Sequence, residues 1–275
     1  MKKDNILIQV LGSSINKMKS PYKKIGIGFI KEKIIKHTNN KRIKTVKING
    51  DVFSYQNDLA FRHSIEEIYF SEIYKFNTAS EKPHIIDCGA NIGLSIFYFK
   101  QHYKNSKILA FEPDLINYKL LEKNISTIQC DDDIAIYNSA IWKEDGEIKF
   151  DSCGDLGGKI SQDQSVLTTS NKVKTVRLKN LLSEKVDLLK IDIEGAEYEV
   201  INDCKDDLGM ISNIFIEYHG DFNENEKLSK ILEIIHKAGF KYYIKEAANV
   251  YPTPFDRGKN KHNFDIQLNI FAFRD

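Results

Sequence analysis

Residues 83–95, with the sequence PHIIDCGANIGLS, decide the fold of this chain. An apolar run ends at Asp87, a glycine-rich turn follows, and a helical pattern of apolar residues begins at Leu94. This order is typical of the first strand, turn and helix of a doubly wound α/β domain. Because Gly89 and Gly93 carry no Cβ, backbone N–H groups of the turn can come close to a ligand at the positive end of the helix. The stretch therefore predicts a turn that binds a nucleotide-like cofactor.

Length and charge limit the classes of function. The chain has 275 residues, with 40 Lys and Arg against 39 Asp and Glu, so the formal net charge is +1. This length predicts one domain of about 200 residues with an appendage. The balanced charge gives no indication of nucleic-acid binding. No run approaches the roughly 18 apolar residues of a membrane span, so we expect neither a span nor a nucleic-acid partner.

The cysteines are widely spaced and form no CxxC pair, at Cys88, Cys130, Cys153 and Cys204. This spacing argues against a structural zinc site and against a thioredoxin-like motif. A reduced, cytoplasmic chain is the expectation.

Residues 1–78 are predicted to form an N-terminal extension. It contains a short helix near residues 29–36, a hairpin over residues 46–55 and a lead-in helix over residues 59–76. The hairpin prediction depends on Asn49-Gly50, a pair typical of tight turns with positive φ. Residues 79–275 are predicted to form the cofactor-binding domain.

Apolar runs in that domain predict six further strands, at residues 107–111, 134–138, 186–193, 211–218, 240–245 and 264–273. Glu112 ends the second strand, 19 residues past Gly93, where doubly wound folds place the carboxylate that binds ribose hydroxyls. Gly146 predicts a hairpin turn before a strand at residues 147–150. Residues 151–172 have no periodicity and are expected to be a lid or an insertion.

Four segments follow one another along the chain: IIDCGANIGLS, AFEPDLINYKLLEKNI, NSAIWKEDGEIKF and DLLKIDIEGAEYEVI. In their order and spacing, over residues 80–220, they resemble the FkbM family of S-adenosylmethionine-dependent methyltransferases. The resemblance implies a Rossmann-like class I methyltransferase fold, a seven-stranded mostly parallel sheet with helices on both faces and an antiparallel last strand. It also implies transfer of a methyl group to a hydroxyl of a sugar, a glycan-linked group or a related small molecule.

The resemblance further implies a cofactor site at the carboxyl ends of the first three strands. Asp87, Gly89, Asn91 and Gly93 would line the methionine end, Glu112 would bind the ribose, and Leu115 or Ile116 would flank the adenine. Asn138, Ser139 and Ala140 would lie near the adenine edge. The candidate cofactor residues also include Ala90, Pro113 and Asp192.

Side chains for catalysis are expected where the fourth and fifth core strands end, because ligands of open α/β sheets bind there. His219 is the first candidate general base, since it titrates near neutral pH, with Asp192 and Glu194 beside it. The structural alternatives are a helix N-cap for Asp192, a hydrogen-bonded loop histidine for His219, and helix-dipole stabilisation by Glu194 and Glu197.

The pairs Asp192/Glu194 and Glu217/His219 could together hold a divalent metal ion. We favour no metal at this stage, because strand-end polarity alone produces such pairs. Trp142 could stack on the acceptor or lie in the core, and the basic loop 257–262 could bind an anion or be solvated.

Two other functions remain open from the residues: a nicotinamide-dependent oxidoreductase and a non-catalytic module that binds S-adenosylmethionine. The turn Gly-Ala-Asn-Ile-Gly lacks the GxGxxG spacing that a dinucleotide pyrophosphate requires, which disfavours the oxidoreductase. The sequence predicts neither the identity of the acceptor nor an oligomeric state.

Overall fold

The computed structural model describes residues 20–38, 42–128, 133–152, 158–160, 171–257 and 262–274. Its centre is a seven-stranded sheet in the order β12-β13-β11-β10-β3-β4-β5. In chain order these strands are β3 (His84–Cys88), β4 (Lys107–Phe111), β5 (Ile134–Tyr137), β10 (Val186–Ile191), β11 (Ile211–Gly220), β12 (Lys241–Glu246) and β13 (Ile266–Phe273). Strand β13 runs antiparallel to both of its neighbours, and the other pairs are parallel. The predicted Rossmann-like class I methyltransferase sheet is confirmed.

Helices cover both faces of this sheet, as predicted. They are α4 (Leu94–His102), α5 (Leu115–Ile125), α6 (Glu197–Asp203) and α7 (Glu226–Lys237). Successive strand residues belong to different cores: Ile85 packs with α4 and α5, whereas Ile86 packs with α6 and α7. All six residues of β10 are buried, because a strand covered on both faces has no exposed side.

The N-terminal part packs on the α4–α5 face. It consists of α1 (Pro21–Lys24), α2 (Phe29–His37), β1 (Lys44–Ile48), β2 (Asp51–Tyr55) and α3 (Asp58–Ile65). The hairpin is confirmed: β1 pairs with β2, and Asn49 and Gly50 have φ of 51° and 103°. The predicted helix over residues 59–76 is shorter, because α3 passes into one π-helical segment at Glu66–Phe70 and the chain then turns at Glu72, with φ of 49°.

A buried amide joins this hairpin to the sheet domain. The Ser54 N–H donates to Asn124 Oδ1 at 2.7 Å, and Asn124 Nδ2 donates to the carbonyls of Ser54 and Ile92 at 2.9 and 2.8 Å. The Phe53 ring meets Phe97 of α4 edge-on, with centroids 4.9 Å apart. The hairpin and the first crossover helix therefore share one hydrophobic core.

A second, four-stranded sheet has the order β6-β9-β7-β8, with β6 (Ala140–Trp142), β7 (Gly146–Ser152), β8 (Gly158–Ile160) and β9 (Asn171–Arg177). The predicted hairpin at Gly146 is wrong, because β6 and β7 do not pair with each other. Instead β9 lies between them, and Thr175 is opposite both Ala140 and Gly146. Of the predicted insertion, residues 151–152, 158–160 and 171–172 lie in strands, and the rest is outside the described residues.

Two of the four cysteines, Cys88 and Cys204, are buried free thiols. Cys130 and Cys153 lie outside the described residues. Among the helices that the structure describes, none combines the length and apolar character needed to cross a bilayer.

Candidate active site

The glycine turn after β3 is bonded to the end of β4. The N–H groups of Gly89 and Ala90 both donate to the Phe111 carbonyl, at 3.0 and 2.9 Å, and the Asn91 N–H donates to Glu112 Oε2 at 2.8 Å. These three N–H groups are therefore bonded within the protein. The expectation that N–H groups at the start of the helix approach a ligand remains a prediction.

Gly89 is required by close packing and Gly93 by its backbone conformation. Gly89 has φ of 90°, and a Cβ there would lie 1.9 Å from the Asp192 carbonyl oxygen. Gly93 is the N-cap of α4 in the left-handed region, with φ of 88°, and a Cβ there would lie 2.7 Å from Leu121 Cδ1. The Asp192 N–H donates to the Cys88 carbonyl at 3.0 Å. The ends of β3 and β10 are thus held in direct backbone contact.

Lys190, on the buried strand β10, links the two strand ends. Its Nζ lies 3.0 Å from Asp87 Oδ1 and 3.6 Å from Asp192 Oδ2, and it donates to the Gly89 carbonyl at 2.8 Å. Ser95 Oγ donates to Asp87 Oδ2 at 2.5 Å. Burial opposes the charge of Lys190, but the carboxylates around it, Asp87 above all, raise its pKa well above the usual value.

Lys190 was not selected from the sequence, although a lysine within an otherwise apolar strand is a visible signal. The same contacts show that Asp87 does not lie on the surface of the glycine turn. Its side chain is fully buried between Ser95 and Lys190, whereas Gly89 is half-buried and Asn91 is exposed at the cleft edge. Ala90 and Gly93 are buried.

Glu112 is positioned as expected, at the end of β4 beside the glycine turn. Besides the Asn91 N–H, it accepts the Asp114 N–H at 2.9 Å, and burial raises its pKa to about 8. Asn138 Nδ2 donates to the carbonyls of Glu112 and Pro113, at 2.9 and 3.1 Å, and so fixes this segment.

Two apolar side chains begin α5 without joining the core: Leu115 is 53% exposed and Ile116 is 62% exposed. Ser139 and Ala140 are buried, with Ala140 paired into β6. The predicted adenine-side residues are therefore of two kinds. Leu115 and Ile116 form an exposed apolar pair at the carboxyl edge of the sheet, whereas Ser139 and Ala140 are buried.

Polar side chains of β11 and of the turn after β10 meet at one point. Ligand atoms of Asp192, Glu194 and His219 all lie within 4.8 Å of one another. His219 Nε2 is 3.6 Å from Glu194 Oε2 and 3.6 Å from Glu217 Oε1. The structure thus brings together the three residues that the sequence indicated for catalysis.

Glu197 supports this cluster from behind and was not selected from the sequence. It is fully buried, and its Oε1 lies 3.2 Å from His219 Nδ1. The same oxygen accepts the N–H groups of Gly195 and Ile193, at 3.0 and 3.4 Å. Helix α6 begins at Glu197 after a turn in which Glu194 has φ of 56°. Asp192 is therefore not the helix N-cap, and its side chain is partly exposed and lies 3.6 Å from Lys190.

The surroundings raise the pKa values of His219, Glu194 and Glu217 above their ordinary values. Burial disfavours a charged imidazole, but the hydrogen bond to Glu197 and the charges of Glu197, Glu194 and Asp192 raise the pKa of His219 to about 10. Burial, reinforced by the charge of Asp192, raises the pKa of Glu194 to about 7 and that of Glu217 to about 8. With these pKa values His219 is protonated at neutral pH, so the adjacent carboxylates are better placed to accept a proton.

One aromatic ring packs on the cluster, and two others bind Arg257. The Phe264 ring centroid lies 4.8 Å from that of His219. The Arg257 guanidinium lies over the rings of Phe222 and Tyr251, at 4.8 and 5.8 Å from their centroids. Trp142 is buried in the core. In the predicted anion-binding loop, Lys259 and Lys261 lie outside the described residues.

The comparison with protein families decides what kind of site this is. The family described as "Methyltransferase FkbM domain" matches residues 87–242. The chain belongs to the FkbM methyltransferase family. That span includes the glycine turn, Glu112 and the Asp192–His219 cluster. FkbM membership makes the protein a methyltransferase, and the nicotinamide-dependent oxidoreductase is the wrong alternative.

Relatives of this FkbM methyltransferase are themselves methyltransferases. Methyltransferase 1 of Beauveria bassiana is 28% identical over 216 residues, 66% of this chain and 84% of the relative. The 2-O-methyltransferase NoeI of Sinorhizobium fredii is 28% identical over 156 residues, 50% of this chain and 63% of the relative. A crystal structure of methyltransferase FkbM from Methylobacillus flagellatus superposes with a TM-score of 0.48 and 16% identity, covering 74% of this chain and 47% of that protein.

Proposed function

We propose that this protein transfers a methyl group from S-adenosylmethionine to a hydroxyl group of a sugar, a glycan-linked group or a related small molecule. The observation that carries the proposal is the convergence of Asp192, Glu194 and His219 within 4.8 Å. This cluster lies beside the glycine turn, because the Asp192 backbone contacts that turn directly. An acceptor hydroxyl at the cluster would therefore be next to a cofactor held by the turn.

The residues around the turn fit S-adenosylmethionine. The ionised carboxylate of Glu112 would accept the ribose hydroxyls, and the exposed apolar side chains of Leu115 and Ile116 would pack on the adenine. The exposed edge of Gly89 and Asn91 would face the methionine end, with Asp87 acting through Lys190. The N–H groups of Gly89, Ala90 and Asn91 are bonded to Phe111 and Glu112, so these three are not available to phosphate oxygens.

S-adenosylmethionine supplies an electrophilic methyl group with its leaving group attached. The chain's own residues must align the acceptor, exclude water and remove the hydroxyl proton. As the new O–C bond forms, the C–S bond breaks and a neutral thioether leaves. The acceptor proton passes to a carboxylate of the cluster, for which Asp192 and Glu194 are the candidates because both are about one-quarter exposed toward the cleft.

Two observations support an oxygen acceptor of the sugar class. The relative NoeI is named as a 2-O-methyltransferase. Phe264 packs on His219 in the cluster, and Phe222, which follows the end of β11, stacks on Tyr251 with ring centroids 5.7 Å apart. Aromatic faces pack well against the apolar C–H face of a sugar ring, while the polar cluster takes its hydroxyls.

The test offers S-adenosylmethionine with a labelled methyl group and a panel of sugar nucleotides, glycan fragments and small-molecule alcohols and amines. We expect label on a hydroxyl oxygen, and we expect Asp192→Asn and Glu194→Gln to lower turnover by about 10²- to 10⁴-fold. Cofactor binding, measured separately by calorimetry, verifies that both variants are intact. Glu233→Gln, on the exposed face of α7, is the matched control. Label on nitrogen, or unchanged turnover in both variants, would refute the proposal.

A further inference from the structure

The strand-end cluster has the geometry of a metal centre. Asp192 and Glu194 supply carboxylate oxygens and His219 supplies Nε2, all within 4.8 Å of one another. The His219 side chain is only 3% exposed, whereas those of Asp192 and Glu194 are 26% and 24% exposed. We propose that these three residues bind a divalent metal ion of the Mn²⁺ class, which faces the acceptor cleft.

An independent observation is the state of His219 Nε2. This nitrogen lies 3.6 Å from Glu194 Oε2 and 3.6 Å from Glu217 Oε1, which are ion-pair separations longer than a hydrogen bond. Two donors that share one ion at about 2.1 Å lie roughly 3.0 to 3.4 Å apart for octahedral to tetrahedral angles. The imidazole nitrogen of the buried His219 side chain is therefore directed at the carboxylates, at separations slightly longer than those of an ion-bound set, and binding would draw the ligands closer together.

The other nitrogen of His219 is held as metal-binding histidines are held. Nδ1 lies 3.2 Å from Glu197 Oε1, a buried carboxylate, and this contact directs Nε2 toward Asp192 and Glu194. A carboxylate on the far nitrogen orients a metal-ligating histidine and fixes its tautomer. Because Glu197 also accepts the Gly195 N–H, it positions the histidine and the turn that carries the other two ligands together.

The local charge favours a cation. Four carboxylates, of Asp192, Glu194, Glu197 and Glu217, lie within 4 Å of either His219 or Lys190. Lys190 is also paired with Asp87, so its positive charge does not balance these groups, and a bound ion would take the place of the proton on His219 Nε2. A divalent ion would offset part of the excess.

The ligand set selects the class of ion. Ca²⁺ takes mainly oxygen ligands, and structural Zn²⁺ sites are closed by four protein ligands. One imidazole with two carboxylates and an open cleft side suits Mn²⁺ better, with the remaining positions left for water or acceptor oxygens. The inference rests on the proposed function, because those oxygens would be the acceptor's hydroxyls. It also revises the preference for no metal that the sequence alone favoured.

The experiment uses the full chain, stripped with a chelator and titrated with Mn²⁺ alone, with free Mn²⁺ followed by its paramagnetic resonance signal. We expect one ion per chain, and affinity at least about tenfold lower in Asp192→Asn, Glu194→Gln and His219→Gln. Glu233→Gln should bind as the wild type does. Thermal unfolding verifies that each variant is folded, and Mn²⁺ should raise the melting temperature of the wild type but not of Glu194→Gln.

Absence of stoichiometric Mn²⁺ binding to the wild type, or equal binding by wild type and Glu194→Gln, would overturn the metal site. Methyl transfer that persists in the chelator-treated protein, together with such a result, would leave the proposed methylation intact. Stoichiometric Mn²⁺ binding that depends on all three ligands supports the metal site. If no hydroxyl acceptor takes up label in the same protein, that result refutes only the proposed function.

Discussion

The buried ion pair between Lys190 and Asp87 gives the sharpest test of how the site is held. Lys190→Met keeps the length and apolar stem of the side chain but removes the charge, and leaves the Asp87 carboxylate and the Gly89 carbonyl facing an apolar group. The two side chains are 3% and 0% exposed. Loss of one partner from a buried pair costs about 3–5 kcal/mol, so we expect the free energy of unfolding to fall by about 4 kcal/mol.

Urea denaturation followed by circular dichroism measures this change as a lower midpoint at constant slope. In Asp87→Asn/Lys190→Met no fully buried charge is left unpaired, since Asp192, the other partner of Lys190, is partly exposed, so the double variant should be more stable than the sum of the single changes predicts, by about 2 kcal/mol or more. Lys237→Met, which removes an exposed pair with Glu233, is the matched control and should leave the midpoint unchanged. A loss below about 1 kcal/mol for Lys190→Met, or strict additivity with Asp87→Asn, would refute the argument that this pair holds the strand ends together.

Three further predictions concern the turn, the ribose carboxylate and the hairpin. Gly89→Ala should destabilise the protein by about 3 kcal/mol or more, because its Cβ would meet a backbone oxygen. Gly239→Ala, where φ is 86° and the space is open, should cost only about 1 kcal/mol. Urea denaturation of both variants measures the difference, and equal losses would contradict the clash. Calorimetry should show that the affinity for S-adenosylmethionine rises about tenfold per pH unit up to the Glu112 pKa of about 8 and then levels, because only the ionised carboxylate accepts two ribose hydroxyls. Glu112→Gln should abolish this pH dependence, and a pH-independent affinity of the wild type would contradict the role of Glu112. Asn124→Ala should lower the free energy of unfolding, measured by urea denaturation, by about 3 kcal/mol, because three backbone groups lose their hydrogen-bond partner. A loss under about 1 kcal/mol would mean that the hairpin does not depend on this amide.

The central sheet could be predicted because its information is local. Each core strand carries its own apolar run, and the polar residue that ends it, such as Glu112 or Asp192, marks the carboxyl edge where ligands bind. The antiparallel direction of the last strand has no such local signal, and only the family resemblance predicted it. The same local signals were enough to select Asp192, Glu194 and His219 before the structure brought them together.

What the sequence did not reveal depends on contacts between distant residues. Gly146 signals a turn, but the strand that pairs on either side of it is β9, which is contributed by residues 171–177 and has no local signature of that pairing. The left-handed conformation of Glu194 delays α6 and releases Asp192 from a capping role, although glutamate is not a residue that usually adopts it. Likewise, Glu197 looks like an ordinary first-turn glutamate until its contact with His219 is known.

Glu197 has a consequence for how new acceptors could be introduced. One buried carboxylate clamps the backbone after β10 and the imidazole on β11, so the polar centre is a single rigid unit whose parts cannot be adjusted one at a time. Changes of acceptor preference should therefore be sought outside this unit, at the stacked rings of Phe222 and Tyr251. A library of variants that keeps Glu197 would change the preference for the acceptor while the catalytic cluster stays intact.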